Sequence, residues 1–319
     1  MSGAQLATPA PLKPGDTLAV TGATGFIGTN LCQTLARRGY RARALVRDTR
    51  KCAHLAALGV ELIQGDLNNS AALQQLATGC TAVVHGAGAV RGNSQADFDA
   101  INVDGTAHLL GALDQLTTPP QLIHLSSLAA REPALSYYAA SKRRGEELLR
   151  NYPHLQWVAL RPPAVYGPGD TEMLPIFRTM KMGFATVPGT PDARLSLLHV
   201  DDLVAAILCC AGAADAQHRV FELGDGQEHG YSWVEIAAIA GQVFNRRVKL
   251  WQVPRVLLDT VARLNSLLAS ITGRAPMLTP PKLRELRHPD WVTSTQAFTA
   301  ATGWIPTITL GTGLQALQL

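Results

Sequence analysis

The feature that most constrains this chain is a glycine-rich turn set between its first strand and its first helix. Thr17–Thr21 (TLAVT) is a short apolar run of strand-forming residues. It leads into Thr21-Gly22-Ala23-Thr24-Gly25-Phe26-Ile27-Gly28, and a helical pattern, Phe26–Arg38, continues from there. The glycine spacing is GxxGxxG. Gly22 permits a tight turn, Gly25 lets backbone N–H groups approach a pyrophosphate, and Gly28 lets the helix lie close on the strand. The helix N-terminus adds partial positive charge toward the phosphates. Three glycines alone are a weak signal, and the strand before and helix after supply the context that gives them meaning. The turn therefore reads as a dinucleotide cradle made by Gly22, Thr24, Gly25, Phe26, Ile27 and Gly28.

The rest of the first half repeats strand and helix in alternation. Strand candidates are Arg41–Val46, Val60–Gln64, Ala82–His85, Gln121–Leu125 and Trp157–Leu160. Helical patterns fall between them at Lys51–Leu58, Ser70–Ala77, Asp97–Gln115 and Tyr138–Asn151. Such alternation implies right-handed βαβ crossovers and a parallel sheet covered on both faces. The expected class is α/β: a doubly wound parallel sheet, the Rossmann fold. After Arg161 the rhythm gives way to proline and glycine clusters at Arg161–Asp170 and Val187–Asp192. We therefore expect a flexible tail over 1–16, a dinucleotide-binding domain over 17–168, and a smaller, partly interleaved substrate region over 169–319. Residues 195–223 are expected to return to the main sheet.

Composition narrows the class. With 319 residues, 47% of them hydrophobic and 16% charged, the chain can bury a sizeable core. Its 28 Lys and Arg against 24 Asp and Glu leave a net charge of +4, too slight to argue for nucleic acid. Five cysteines, Cys32, Cys52, Cys80, Cys209 and Cys210, follow no metal-ligand spacing, and an odd count suits no disulfide framework. A reducing cytoplasm is the expected compartment, and no metal is expected. The N-terminus lacks the basic-then-apolar pattern of a secretory signal, and no apolar run approaches the roughly 18–20 residues that span a bilayer. His199-Val200-Asp201-Asp202 holds ligand-type residues without metal geometry, so one of the aspartates is expected to cap a helix beginning at Leu203.

Further cofactor contacts are read from the strand ends. A carboxylate at the tip of the second strand would hold the ribose 2′-hydroxyl of NAD. Here the tip reads Val46-Arg47-Asp48, with Arg50 and Lys51 behind it. A guanidinium matches a 2′-phosphate, so NADP(H) is favoured. NAD stays open as the alternative, with Asp48 on the ribose. Asp66, followed by Leu67, stands where a carboxylate can accept from the adenine amino group, or else cap the next helix. The small residues Gly86, Ala87 and Gly88 suit backbone passing close to the cofactor. His85 is read as a packed strand-end residue.

The fifth strand ends in Ser126-Ser127, and Tyr138-Ala139-Ala140-Ser141-Lys142 opens a helix. Tyr138 and Lys142 are four residues apart and share one helix face. A free tyrosine titrates near pH ~10, too high for general-base work at neutrality, and a nearby ammonium lowers it. Ser127 can orient a substrate oxygen while Tyr138 gives or takes the proton and Lys142 also holds the nicotinamide ribose. Ser126 is read as a supporting residue and Tyr137 as a neighbour in the wrong register.

Together these stretches resemble the extended short-chain dehydrogenases/reductases of the NAD-dependent epimerase/dehydratase family. The resemblance is carried by TGATGFIG, GDL, VVHGAG, Asn102-Val103-Asp104-Gly105-Thr106, HLSS, YAASK, RPPAVYGPGD and LLHVDDL, over about 17–205. It implies a catalytic set of Ser127, Tyr138 and Lys142, and a nicotinamide site lined by Pro163 and Val165. Sugar-nucleotide dehydratases of the family carry two acids after the strand-end serine; this chain has Leu128-Ala129-Ala130 there. Its serine-to-tyrosine loop is shorter than is usual in the family's sugar-nucleotide epimerases. Val46-Arg47-Asp48 with its nearby basic residues resembles dihydroflavonol reductases, and the compact chain resembles the 3β-hydroxysteroid dehydrogenase-like branch. The resemblance thus implies an NADP(H)-dependent oxidoreductase interconverting a ketone and a secondary alcohol. An epimerase with tightly bound NAD and a non-catalytic cofactor-binding regulator remain as alternatives. Arg194 stands where sugar-nucleotide enzymes often contact phosphate; pairing with Asp192 or exposure to solvent is the other expectation. The resemblance further implies homodimers formed through the 97–115 and 138–151 helices. Finally, Arg255–Ile271 is amphipathic, with Val256, Leu257, Leu258, Val261, Leu264, Leu267, Leu268 and Ile271 apolar. A pocket lid or a core helix is expected there rather than membrane contact.

Overall fold

The computed structural model describes residues 12–272, 278–317 and 319. Most of the expected tail lies outside the described residues. Its last five residues are docked: the Gly15 N–H donates to the Gly39 carbonyl at 3.0 Å, and Leu12 packs on the core.

In the first half the elements run β1 (Thr17–Thr21), α1 (Phe26–Arg37), β2 (Arg41–Val46), α2 (Ala53–Ala56), β3 (Glu61–Gln64), α3 (Ser70–Ala77), β4 (Ala82–His85), α4 (Gln95–Asn102), α5 (Asp104–Asp114), β5 (Gln121–Leu125), α6 (Tyr137–Leu149) and β6 (Trp157–Arg161). Then follow β7 (Ala164–Tyr166), α7 (Leu174–Lys181), β8 (Phe184–Val187), β9 (Arg194–Leu195), β10 (Leu197–His199), α8 (Val200–Cys210) and β11 (Arg219–Glu222). The chain ends with β12 (Tyr231–Ser232), α9 (Trp233–Val243), β13 (Lys249–Gln252), α10 (Arg255–Thr272), α11 (Pro280–Leu286), β14 (Asp290–Trp291), α12 (Gln296–Thr302) and α13 (Leu310–Ala316).

Seven strands form one parallel sheet in the order β11-β6-β5-β4-β1-β2-β3. Its order reverses between β1 and β4, which places a crevice at the carboxyl ends of those strands. The central strands β1, β4, β5 and β6 are almost wholly buried because both faces are covered. One face packs on α1, α8 and α12 through Leu31, Leu35, Leu203, Ile207 and Phe298. The other packs on α3, α5 and α6 through Leu73, Leu76, Leu109, Leu113 and Leu149. A third core, around Tyr166, Phe177, Met180, Leu310 and Leu314, fills the C-terminal region.

Three expectations change. The helix expected over 97–115 is two, α4 and α5, which turn at Val103 (φ −108°, ψ −63°). A capping box, Ser94 with Asp97, starts α4 earlier than apolar spacing suggests. Of 195–223, only β11 joins the main sheet, while β10 pairs with β7 and β9 pairs with β12 and β14. β6 has a single free edge, which β11 occupies, so the earlier strands find partners elsewhere. Lastly, α10 is no core helix: Val256, Leu257, Val261 and Leu264 are all exposed.

Candidate active site

The cradle is a matter of space. Gly22 has φ +74°, and a Cβ there would lie 2.6 Å from the Ala87 nitrogen. A Cβ on Gly28 would lie 2.2 Å from the Gly22 carbonyl oxygen. Neither position admits a side chain. Gly25 differs, since a Cβ would meet only that same oxygen, at 3.3 Å. It is the N-cap of α1 and makes no side-chain capping bond, so the first N–H groups of the helix have no side-chain acceptor there. Exposed Thr24 and Gly25 frame this end of the crevice, with Phe26 and Ile27 half-buried behind them. A turn that leaves helix N–H groups open suits a pyrophosphate, and so fits a dinucleotide.

The other strand ends close around it. Arg47 at the tip of β2 is exposed and makes no ion pair or hydrogen bond among the described residues. Asp48 is engaged: it pairs with Arg50 at 3.0 Å and accepts the Arg50 backbone N–H. Asp66 is exposed and accepts the Asn68 N–H at 2.8 Å. The cap of α3 is Asn69, so the alternative capping role of Asp66 is corrected. Leu67 is buried. After β4, Gly86 and Ala87 hydrogen-bond through their N–H groups to the carbonyl and hydroxyl of Thr21. Gly88 lies beside Asn102 and the Lys142 ammonium. His85 is buried between Thr21 and Thr106, and burial holds it neutral, with its pKa down to about 3. Pro163 and Val165 sit half-buried in the segment that follows β6.

Ser127 follows β5 and caps a short turn, accepting the Ala129 N–H at 3.2 Å through Oγ. That leaves its hydroxyl proton to give. Ser136 caps α6, setting Tyr138 and Lys142 in the first two turns. Lys142 is buried, and its ammonium donates to the Leu125 carbonyl at 2.6 Å, two residues before Ser127. The structure thus gathers Ser127, Tyr138 and Lys142 at one strand end. One expectation reverses. Burial pushes the Tyr138 phenol up to about 12, with the Ser127 hydroxyl opposing and the Glu285 carboxylate adding to the rise. Burial also pulls Lys142 down to about 8, with Glu146 opposing. The phenol is therefore a protonated group, poised to give a proton. Removal from water outweighs the hydrogen bond from Ser127.

A cavity of about 300 Å³ opens beside Tyr138, lined by Val90, Phe98, Ser136, Thr279, Pro281 and Lys282 among others. Tyr137 and Tyr138 both belong to its lining. A family model described as the NAD dependent epimerase/dehydratase family matches residues 18–224.

This chain belongs to that family.

Among relatives of this epimerase/dehydratase family enzyme, a ceramide reductase of Caulobacter vibrioides is 36% identical over 277 residues, covering 87% of this chain and 86% of its own. A 2-alkyl-3-oxoalkanoate reductase of Shewanella oneidensis is 28% identical, over 65% of this chain and 61% of its own. A UDP-glucuronic acid 4-epimerase of Bacillus cereus, solved with UDP-glucuronic acid and NAD, superposes with a TM-score of 0.73 at 20% identity, covering 94% of this chain and 97% of that one. At that identity the likeness is one of fold.

Several supporting residues were not singled out from the sequence. Asn102 is buried, and its side chain bonds both the Ala89 backbone and the Ser141 hydroxyl, which in turn donates to the Tyr138 carbonyl. Glu146 is buried and accepts from Ser126 and, through two bonds, from Arg161. Lys282 sits 5.6 Å from the Tyr138 ring centre, and Glu285 accepts from Ser136 at 2.7 Å. Asn102 lies in a stretch quoted for the resemblance, which was its one signal; Lys282 and Glu285 are ordinary charges on a distant helix. Two further expectations are corrected. The helix after β10 begins at Val200 with His199 as its cap, and Asp202 instead binds the backbone of Thr307 and Ile308. Arg194 pairs not with Asp192 but with Glu235, and it also holds the His229 and Gly230 carbonyls while its side chain stays partly exposed. Among the described residues no group of three His, Cys, Asp or Glu could hold a metal ion.

Proposed function

We propose that this enzyme reduces a ketone on a long-chain, lipid-like molecule to a secondary alcohol, with NADPH as donor. The carrying observation is Tyr138: a protonated phenol beside Ser127, facing the cavity. The nicotinamide supplies the hydride. Ser127 donates a hydrogen bond to the carbonyl oxygen and fixes its place. As that oxygen gains charge, Tyr138 gives it the phenolic proton, and the alcohol is complete. Lys142, charged below about pH 8, holds the ribose and steadies the phenolate until solvent restores the proton. The same steps in reverse oxidise the alcohol.

The cofactor contacts in this reading are Gly22, Thr24, Gly25, Phe26, Ile27, Gly28, Arg47, Asp66, Leu67, Gly86, Ala87, Gly88, Lys142, Pro163 and Val165. NADP rather than NAD is favoured because Arg47 is uncommitted while Asp48 is tied to Arg50. The substrate class is taken from relatives whose names denote a ceramide and an alkyl-branched oxoalkanoate. An epimerase acting on sugar nucleotides fits less well, because Arg194 is already bonded within the protein. We assign 17–168 to the cofactor and 169–319 mainly to the substrate, in a cytoplasmic enzyme that pairs as a homodimer. The test is a panel of ketones, from short and soluble to long-chain, followed by NADPH absorbance. Activity should rise with chain length. Turnover of a UDP-sugar with no net cofactor change would sink the proposal.

A further inference from the structure

α10 wears its amphipathic pattern inside out. Leu258, Ala262 and Asn265 face the protein: Ala262 is fully buried, and Asn265 donates to the Leu278 carbonyl. Val256, Leu257, Val261 and Leu264 lie on the opposite arc, roughly 140° wide at 3.6 residues per turn. They are 78%, 55%, 38% and 53% exposed. A surface helix of a globular protein ordinarily turns such a stripe inward. Trp251, on the strand that leads into α10, is 62% exposed as well.

Charge gathers in the same region. From Arg246 to Arg287 the sequence holds nine Lys and Arg against two acids, Asp259 and Glu285; the remaining chain holds 19 against 22. The whole positive excess of the protein therefore sits in this one segment. Both of its acids are neutralised, Asp259 by Arg287 at 2.7 Å and Glu285 by Lys282. The side chains of Arg246, Arg247, Lys249, Arg255 and Arg263 are exposed and make no hydrogen bond or ion pair among the described residues.

We propose that α10, with the Trp251 strand beside it, docks on the surface of an anionic lipid bilayer. An exposed leucine-rich arc, a tryptophan and a surround of basic residues are what the interface of such a bilayer takes up. The helix lies in the surface and does not cross it; no helix among the described residues is long and apolar enough to span a membrane. A second copy suits this face badly, because a two-fold contact would bring one basic surround against the other. The placement has a use. α10 packs on α11, and Thr279, Pro280, Pro281 and Lys282 at the start of α11 line the cavity that holds Tyr138. A chain-bearing ketone leaving the bilayer at α10 would then have a short path to the phenol. That last step rests on the reductase proposal; the docking itself does not.

The test is flotation of the full chain with vesicles, with phosphatidylglycerol in phosphatidylcholine against phosphatidylcholine alone. Binding should require the anionic lipid and weaken as salt rises. Leu257→Ser with Leu264→Ser should lower affinity at least tenfold, and Arg255→Gln and Arg263→Gln about fivefold each. All four positions are exposed, so folding and NADPH turnover of a short soluble ketone should be unchanged, which reads the two proposals separately. Absence of vesicle binding, or binding indifferent to the leucine pair, overturns the docking. So does light scattering that shows the leucine pair holding two copies together in place of lipid.

Discussion

In the proposed reaction Tyr138 and Lys142 act through opposite responses to removal from water. Losing water raises a phenol and lowers an ammonium, because in each the charged form is the one penalised. Replacing Tyr138 with Phe keeps the ring and removes the proton. Turnover should fall by about 10²- to 10⁴-fold while NADPH affinity, read by fluorescence titration, stays within about twofold of the parent protein. Lys142 sets a pH limit. Its ammonium titrates near 8, lowered by burial and partly restored by Glu146, with His85 and His124 beside it held neutral. The rate of reduction at low substrate should therefore fall as pH rises through about 8. Lys142→Arg, always charged, should abolish that limb even if the overall rate is lower. Stability moves the other way. The native state sheds this proton near 8 and the unfolded chain near 10.5, so the group's contribution to stability grows between those values.

The strand-to-helix turn at Gly22–Gly28 separates fold from ligand binding within one motif. Gly28→Ala forces a methyl group to within 2.2 Å of a backbone oxygen and should destabilise the protein by several kcal/mol, as in other overpacked sites. Gly25→Ala brings a methyl group to 3.3 Å from the same oxygen, a contact that a shift of a few tenths of an ångström relieves. The fold should therefore lose far less than with Gly28→Ala, while NADPH affinity drops. Chemical denaturation alongside cofactor titration separates the two effects. The ends of β5, β6 and α6 are tied by Glu146, which joins Ser126 to Arg161 deep in the protein. Glu146→Ala leaves the Arg161 cation short of its main partner. The expected loss is near the lower end of about 3–5 kcal/mol, because Glu222 still stands 3.6 Å from Arg161. A denaturation midpoint unmoved by this change would remove the strut role assigned to Glu146.

Across the whole molecule, the C-terminal half closes over the sheet rather than standing apart from it. α8 covers one face, β11 adds an edge, and Arg131 binds the carbonyls of Asp290 and Val292. Cofactor binding should therefore raise the stability of the entire chain in one cooperative transition. A ligand at a hundred times its dissociation constant adds about 2.7 kcal/mol. NADPH should raise the melting temperature more than NADH at equal concentration, and Arg47→Ala should erase that difference. A larger shift with NADH in the parent protein would reverse the cofactor assignment.

The fold class and the likeness of the site were legible in the sequence because both rest on local order. Strand and helix alternate in steps of a few residues, the glycines answer a turn within eight, and Tyr138 and Lys142 share a face by helix periodicity alone. What lay outside that reach came from contacts between distant segments. Nothing near Ser136 announces Glu285, which arrives 149 residues later. Nothing near Asp202 announces Thr307. The rise of the Tyr138 phenol depends on how much water the assembled elements exclude, which no spacing records. The apolar stripe of α10 was visible as a pattern, and the pattern predicted a helix that faces inward. Only the tertiary structure decided which way it turns, because an amphipathic sequence fixes the stripe, and packing against neighbours fixes its direction.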